Sequence, residues 1–211
     1  MKKLIVFLFP FISFAQQSFY KLDSVEYYFI QELSAYRKQT YTNIPTLLFS
    51  DIMSKAAQHH TTYLVNMQSV DNSIQVLTHE EPRFVSGITY QGTDTLINSI
   101  AERSAYYDVD NVFAGFGEVI QSLGVYTSNV TDNRKIAKMI LDRFLASPDH
   151  KQILDAYGYT HIGISIIAQQ SIGDSIRIFI CIRPCALSNT KYLHSNTFFP
   201  YYYGNKLTDI Q

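Results

Sequence analysis

From Leu22 to Arg37 the apolar residues Leu22, Val25, Phe29, Ile30, Leu33 and Tyr36 recur at three- and four-residue spacing. That is one face of a helix, and it predicts an element ending near Lys38. Ile44-Pro45 marks a break, after which Ser50-Asp51 caps a second helix whose apolar line is Ile52, Ala56, Tyr63 and Met67. A polar stretch runs from Gln68 to Gln75, and Pro82 closes the short segment Val76-Leu77-Thr78-His79-Glu80-Glu81. Gly87 to Thr93 reads as a loop, with Thr93 or Asp94 capping a helix through Leu96, Ile97, Ile100, Ala101 and Ala105. Phe113 to Gly117 reads as a turn and Leu123 to Asp132 as a polar connection. Thr131 or Asp132 then caps a helix bearing Ile136, Met139, Ile140, Arg143 and Phe144. Ser147-Pro148 restarts a shorter one, with Ser as N-cap and Pro at its first position.

The period then changes. Ile162, Ile164 and Ile166 alternate with other residues, and Ile176, Ile178, Ile180 and Ile182 do the same beyond a turn at Gly173-Asp174. Alternation of this kind predicts an antiparallel hairpin with one isoleucine face buried under helices. The whole reads as an α+β chain, an α/β/α sandwich with helices on both faces of a small antiparallel sheet. No internal repeat divides it. From Asn189 a polar, tyrosine-rich tail follows, with Phe198-Phe199-Pro200-Tyr201-Tyr202-Tyr203 near its end; it either packs on the domain or presents an aromatic surface.

Composition narrows the classes. The chain has 211 residues, 46% of them hydrophobic, and a net charge of -1, which fits an ordinary globular protein with a sizeable core. Lys and Arg total 17 against 18 Asp and Glu, with no basic cluster beyond the first three residues, so nucleic acid is not an expected partner. Lys2-Lys3, the apolar run Leu4 to Phe14 and the small residues Ser13 and Ala15 form a secretory leader cut after Ala15. The run falls short of the roughly 20 apolar residues of a spanning helix. The expected protein is therefore secreted or periplasmic and carries no transmembrane anchor after cleavage. Its parts are the leader 1–15, a domain 16–188 and the tail 189–211, and oligomeric state is not legible. Asn129-Val130-Thr131 is a formal glycosylation sequon, discounted in a chain of bacterial appearance.

Export permits a disulfide between the two thiols, Cys181 and Cys185. In one continuous strand they would stand about 13 Å apart, beyond bonding reach. A bridge therefore requires a turn at Arg183-Pro184, and two buried free thiols are the alternative.

Three side chains could carry chemistry: His79 after its short apolar run, Glu118 after a glycine, and His150 in a capped first turn. Two imidazoles and a carboxylate suit either a zinc ion with an open position or a general acid–base pair. A neutral His150 is favoured by the positive end of its helix dipole. His59 and His60 point about 100° apart on a helix and cannot share a metal; His59 reads as a packed structural imidazole. His161 opens a strand without an acidic partner and reads as half exposed. Ser99, Ser104 and Ser122 lie in no Gly-x-Ser-x-Gly elbow, and Gly115-Phe116-Gly117 lacks the third glycine of a dinucleotide loop.

Leu77-Thr78-His79-Glu80-Glu81, Phe116-Gly117-Glu118-Val119-Ile120, Phe144 to Leu154 and Thr160-His161-Ile162-Gly163-Ile164-Ser165 together resemble the CAP superfamily, bacterial branch. Its members include cysteine-rich secretory proteins, antigen 5 and pathogenesis-related proteins of the first class. The likeness spans about Val25 to Ile182, and Ser34-Ala35-Tyr36-Arg37 stands where the family usually has Asn-x-x-Arg. It implies a cleft of two histidines and two acids, with His79, Glu118 and His150 on matching motifs. Phe144 replaces the pattern's Trp, Val119 the Asn of Gly-Glu-Asn, and Ser147 the second acid of eukaryotic members. Glu80, Glu81 or Asp149 would have to complete the set. The resemblance implies a secreted binding module whose cleft takes a divalent cation or a small apolar, lipid- or sterol-like or cell-envelope ligand. Alternatives are a zinc-assisted hydrolase of peptide or envelope polymers and a structural module in which Glu118 and His150 form a buried pair.

Overall fold

The computed structural model describes residues 19–68, 76–126, 132–170 and 174–188. The leader, the proposed start at Gln16, the sequon, the 69–75 stretch and the tail from Asn189 lie outside them. In chain order come β1 (Phe19–Lys21), α1 (Asp23–Thr40), β2 (Leu48–Phe49), α2 (Asp51–Met67), β3 (Phe84–Val85), β4 (Ile88–Thr89) and α3 (Ile100–Tyr107). They are followed by β5 (Phe113–Phe116), β6 (Val119–Tyr126), α4 (Asn133–Ala146), α5 (Pro148–Asp155), β7 (His161–Gln170) and β8 (Ser175–Leu187).

The hairpin β7–β8 is the spine of the sheet. Strands β1 and β2 pair with the outer side of β7, and β5 and β6 with the outer side of β8. All these pairings are antiparallel except β2 on β7. The alternation of the isoleucines decides the layers, because successive side chains leave a strand on opposite faces. Ile162, Ile164, Ile166, Ile176, Ile178, Ile180 and Ile182 form one core with Val25, Phe29 and Leu33 of α1 and Ile136, Ile140 and Phe144 of α4. Each such side chain, fully withdrawn from water, contributes on the order of 2 kcal/mol. On the other face Ile120, Ile167, Phe179 and Cys181 pack with Ala57, Tyr63, Leu64 and Met67 of α2. The molecule is thus a mixed helix and sheet structure, α+β, with helices against both faces of the sheet. Among the described residues no helix is long and apolar enough to cross a membrane.

Several expectations need correction. β8 runs straight through Arg183-Pro184, so Cys181 and Cys185 sit on one strand as buried free thiols and no disulfide joins them. The connection expected from Leu123 is strand as far as Tyr126, because Leu123 and Val125 face the core while Gln121 and Ser122 stay half-buried. The loop after Pro82 contains the hairpin β3–β4, turned by Ser86 at φ 50° and Gly87 at φ 86°, as a primed turn requires. Helix α3 begins at Ser99, not at Thr93 or Asp94. The Ser99 hydroxyl accepts from Glu102 N at 3.1 Å, while Ile97 N is drawn off to the Glu81 carboxylate at 2.8 Å.

The helices that position the site start as expected. The Ser50 hydroxyl accepts from Met53 N in α2, and the Asp132 carboxylate accepts from Arg134 N and Lys135 N in α4. Ser147 occupies the N-cap position of α5 with Pro148 behind it, yet its hydroxyl makes no capping bond. The other end of α5 is held instead: Arg37, buried, donates to the carbonyls of Leu154 at 2.6 Å and Ala156 at 3.3 Å. α1 thereby fixes the short helix that carries His150.

Candidate functional site

The segment 78–81 crosses the end of α2 and meets α3, the start of β6 and the last third of β8. Two carboxylates, Glu81 and Glu118, lie there with 0% and 2% exposure. Each is enclosed by donors. Glu81 Oε1 accepts from His60 Nδ1 at 2.9 Å and Arg103 at 3.2 Å, and its Oε2 from His59 Nε2 at 3.1 Å and Ile97 N at 2.8 Å. Glu118 accepts from Arg103 at 2.9 and 3.1 Å, from Arg183, and from His79 Nδ1 at 2.9 Å. Arg103 joins the two acids and also donates to the His79 carbonyl at 2.7 Å. Arg183 reaches back to the Ile100 carbonyl and the Ser104 hydroxyl on α3.

Two guanidiniums therefore balance two carboxylates in a buried site, which is the condition for burying such charges. Burial alone would raise both acids. For Glu118 the His79 hydrogen bond and the charges of His60, Arg183 and Arg103 outweigh it, holding the carboxyl down to about 2. For Glu81 the donors His59, His60 and Ile97 N, with Arg103, do the same, again to about 2. His60 places one ring nitrogen against Glu81 at 2.9 Å and the other against the Thr78 carbonyl at 2.8 Å.

The network reaches the surface at His79, and His150 lies on the neighbouring helix α5. The His79 side chain is 47% exposed. His150 lies half-buried in the first turn of α5, edge-on to Phe144 at 5.2 Å, with a buried Nδ1 that has no hydrogen-bond partner among the described residues. Its pKa is lowered, first by burial and then by His79, the direction that favours a neutral ring, with desolvation rather than the helix dipole as the main cause. Glu118 pairs with His79 and not with His150, which corrects the buried pair envisaged for a structural module.

Of the other candidates, Glu81 turns inward, whereas Glu80 and Asp149 are exposed and Ser147 is half-buried at its helix junction. His161 is buried rather than half exposed, because β2 and β8 both flank it. His59 and His60 diverge on α2 as their spacing requires, yet both serve one group, since a carboxylate offers each a separate oxygen. The sequence reading missed Arg183 and gave Arg103 no role. The available signal was a lone cation inside an apolar strand, Ile182-Arg183-Pro184, which must find a buried acid.

The donor set bears directly on zinc. Glu118 has its oxygens occupied by two guanidiniums and an imidazole, and those cations stand where a dication would have to approach. As it is held here, Glu118 does not fit a metal ion, and it is too acidic to serve as a base. Among the described residues no group of three or more His, Cys, Asp and Glu side chains is arranged to hold a metal.

Fold and site define an α+β domain that encloses a charge network of Glu81, Glu118, Arg103 and Arg183, with His79 exposed at its edge. Among solved structures it is similar to an outer surface protein from Borrelia burgdorferi, with a TM-score of 0.53 and 18% identity over 81% of this chain and 100% of that one. At that identity the likeness concerns the fold alone. No family model matches the chain, and no curated protein does.

Proposed function

We propose that the chain is an exported, CAP-like binding module, its layers forming the family's α/β/α sandwich. Its cleft takes a small apolar or cell-envelope ligand against His79 and His150. The observation that carries this reading is the enclosure of Glu118 by Arg103, Arg183 and His79. A carboxylate so engaged holds an imidazole in place; it does not abstract protons. The polar group of the network left to meet a ligand is the exposed His79, with the half-buried His150 as its proposed partner and the exposed Leu77 two residues before it in the chain. The fold shared with a protein named for the outer surface of a bacterium, together with the leader, supports a site of action outside the cytoplasm.

A second reading keeps the divalent cation but moves it to the imidazoles alone. The unpartnered Nδ1 of His150, whose pKa burial lowers, favours it. A zinc-assisted hydrolase would additionally need a free carboxylate, and the arginines weigh against Glu118 supplying one.

The test is co-sedimentation of the Gln16–Gln211 protein with isolated bacterial envelopes and with sterol-containing vesicles, beside a His79→Ala/His150→Ala variant of matched Tm. Retention of the first and loss of the second is the expected result; equal retention overturns the cleft as the binding site. Zinc calorimetry on the same pair separates the two readings, because saturable uptake abolished in the variant would put a cation on the imidazoles.

A further inference from the structure

Away from the cleft, at the opposite end of the β7–β8 hairpin from its turn, lies a second group of ligating side chains. His161 and Cys185 are direct cross-strand partners, so their Cβ atoms stand about 5 Å apart on the same face of the sheet. Cys185 packs with Met53 and Phe113 in one buried cluster, and the Phe113 ring lies 5.2 Å from the His161 ring. Met53 is brought down onto this face because Gly163, two residues along from His161, has no side chain. A Cβ there would meet the Met53 backbone carbon at 2.2 Å. A nitrogen, a thiol and a thioether thus belong to one buried neighbourhood, with Cys185 and Met53 fully buried and His161 3% exposed.

The imidazole is the observation that points to a ligand. Its Nδ1 is engaged with the Thr160 hydroxyl at 2.9 Å. Its Nε2 is buried and has no hydrogen-bond partner among the described residues. Leaving such a group unsatisfied is costly, so a nitrogen kept bare on the sheet face that also carries Cys185 calls for an explanation. The Thr160 contact supplies the support that a metal-bound histidine ordinarily has on its other nitrogen.

We propose that His161 Nε2, Cys185 Sγ and Met53 Sδ form a site for a soft monovalent cation, Cu(I) or its redox-silent analogue Ag(I). Thiolate and thioether ligands select such ions. Charge favours them over zinc: a monovalent cation replacing the thiol proton adds no net charge to the buried site, whereas Zn²⁺ would add one. Binding forms the metal–sulfur bond and releases the thiol proton to solvent, with no change of oxidation state. Cys181, the other free thiol, faces Ser165 and Ile120 across the sheet and has no imidazole partner, so it serves as an internal control.

The experiment uses the leaderless protein in ascorbate, competing for Cu(I) against bicinchoninate, with Ag(I) thermal shifts as a second readout. The wild type withdraws one equivalent and gains Tm with Ag(I); Cys185→Ala abolishes both, Met53→Leu weakens the affinity at least tenfold, and Cys181→Ala changes neither. Failure of the wild type to compete, persistence of binding in Cys185→Ala, or loss in Cys181→Ala equal to that in Cys185→Ala would each overturn the site. Met53→Leu conserves volume and so still decides the question if Cys185→Ala folds poorly.

Discussion

At the scale of the residue, the site divides into groups that hold and groups that face outward, and substitution should separate them. Arg103 touches both buried acids and the His79 carbonyl. Removing one partner from a buried ionic cluster leaves uncompensated charge, which costs about 3–5 kcal/mol. Arg103→Ala should lower the unfolding free energy by that amount in urea titration, and a loss under about 1 kcal/mol would contradict the network as described. His79 is nearly half exposed and contributes one hydrogen bond to Glu118, so His79→Ala should cost no more than about 1 kcal/mol. Envelope retention should nonetheless fall in that variant if the cleft is the binding surface.

Among the elements, the close approach of α2 to β7 is the most sensitive contact. Gly163→Ala would place a methyl group 2.2 Å from the Met53 carbonyl carbon and 2.4 Å from Ser54 N. Both atoms are backbone, so the helix itself must shift, and we expect a loss of about 3 kcal/mol with a lower Tm. Asp132→Ala, which removes two capping bonds from α4, should cost about 1 kcal/mol by the same measurement. These helices were legible because their apolar faces and their caps agree, as was the isoleucine hairpin because its alternation is unbroken. Strands β1 and β2 have three and two residues, too short for any periodicity. β6 was not read as a strand because Gln121, Ser122 and Gly124 interrupt its alternation, and only pairing with β8 makes it one. The site was legible in the same uneven way. His79 and Glu118 stand out in their segments, but the arginines that define the state of Glu118 arrive from residues 103 and 183. Such partners are set by sheet register and helix packing, not by spacing in the chain.

For the molecule as a whole, pH should expose opposing terms in the metal-free protein. Glu81 and Glu118 have folded pKa values of about 2, below the usual carboxylate value. Their contribution is complete above about pH 4.5 and is lost as pH falls towards 2. Glu26, buried where α1 meets Lys21 and accepting from Ile166 N at 2.8 Å, has the reverse sign. Burial, opposed by Lys21 and the Ile166 N–H, raises it to about 7. The folded state then holds a proton that the unfolded chain releases, so this contribution is present below about pH 4.5 and lost as pH rises through 7. His161 works against it in nearly the same window. Burial lowers that imidazole to about 4, and its contribution, present above about 6.5, is lost as pH falls towards 4. Because the Glu26 and His161 slopes oppose each other, with His150, also lowered by burial, adding to the rise, the wild type should climb only gently between about pH 4.5 and 6.5 and fall away steeply below. Glu26→Gln removes the descending term, so its stability should climb by on the order of 2–3 kcal/mol across that interval. His161→Phe removes an ascending one and should make stability decline there instead. Urea titrations at half-unit pH steps, with a chelator present, check both, and a variant that kept the wild-type profile would show that its group is not titrating as the packing requires.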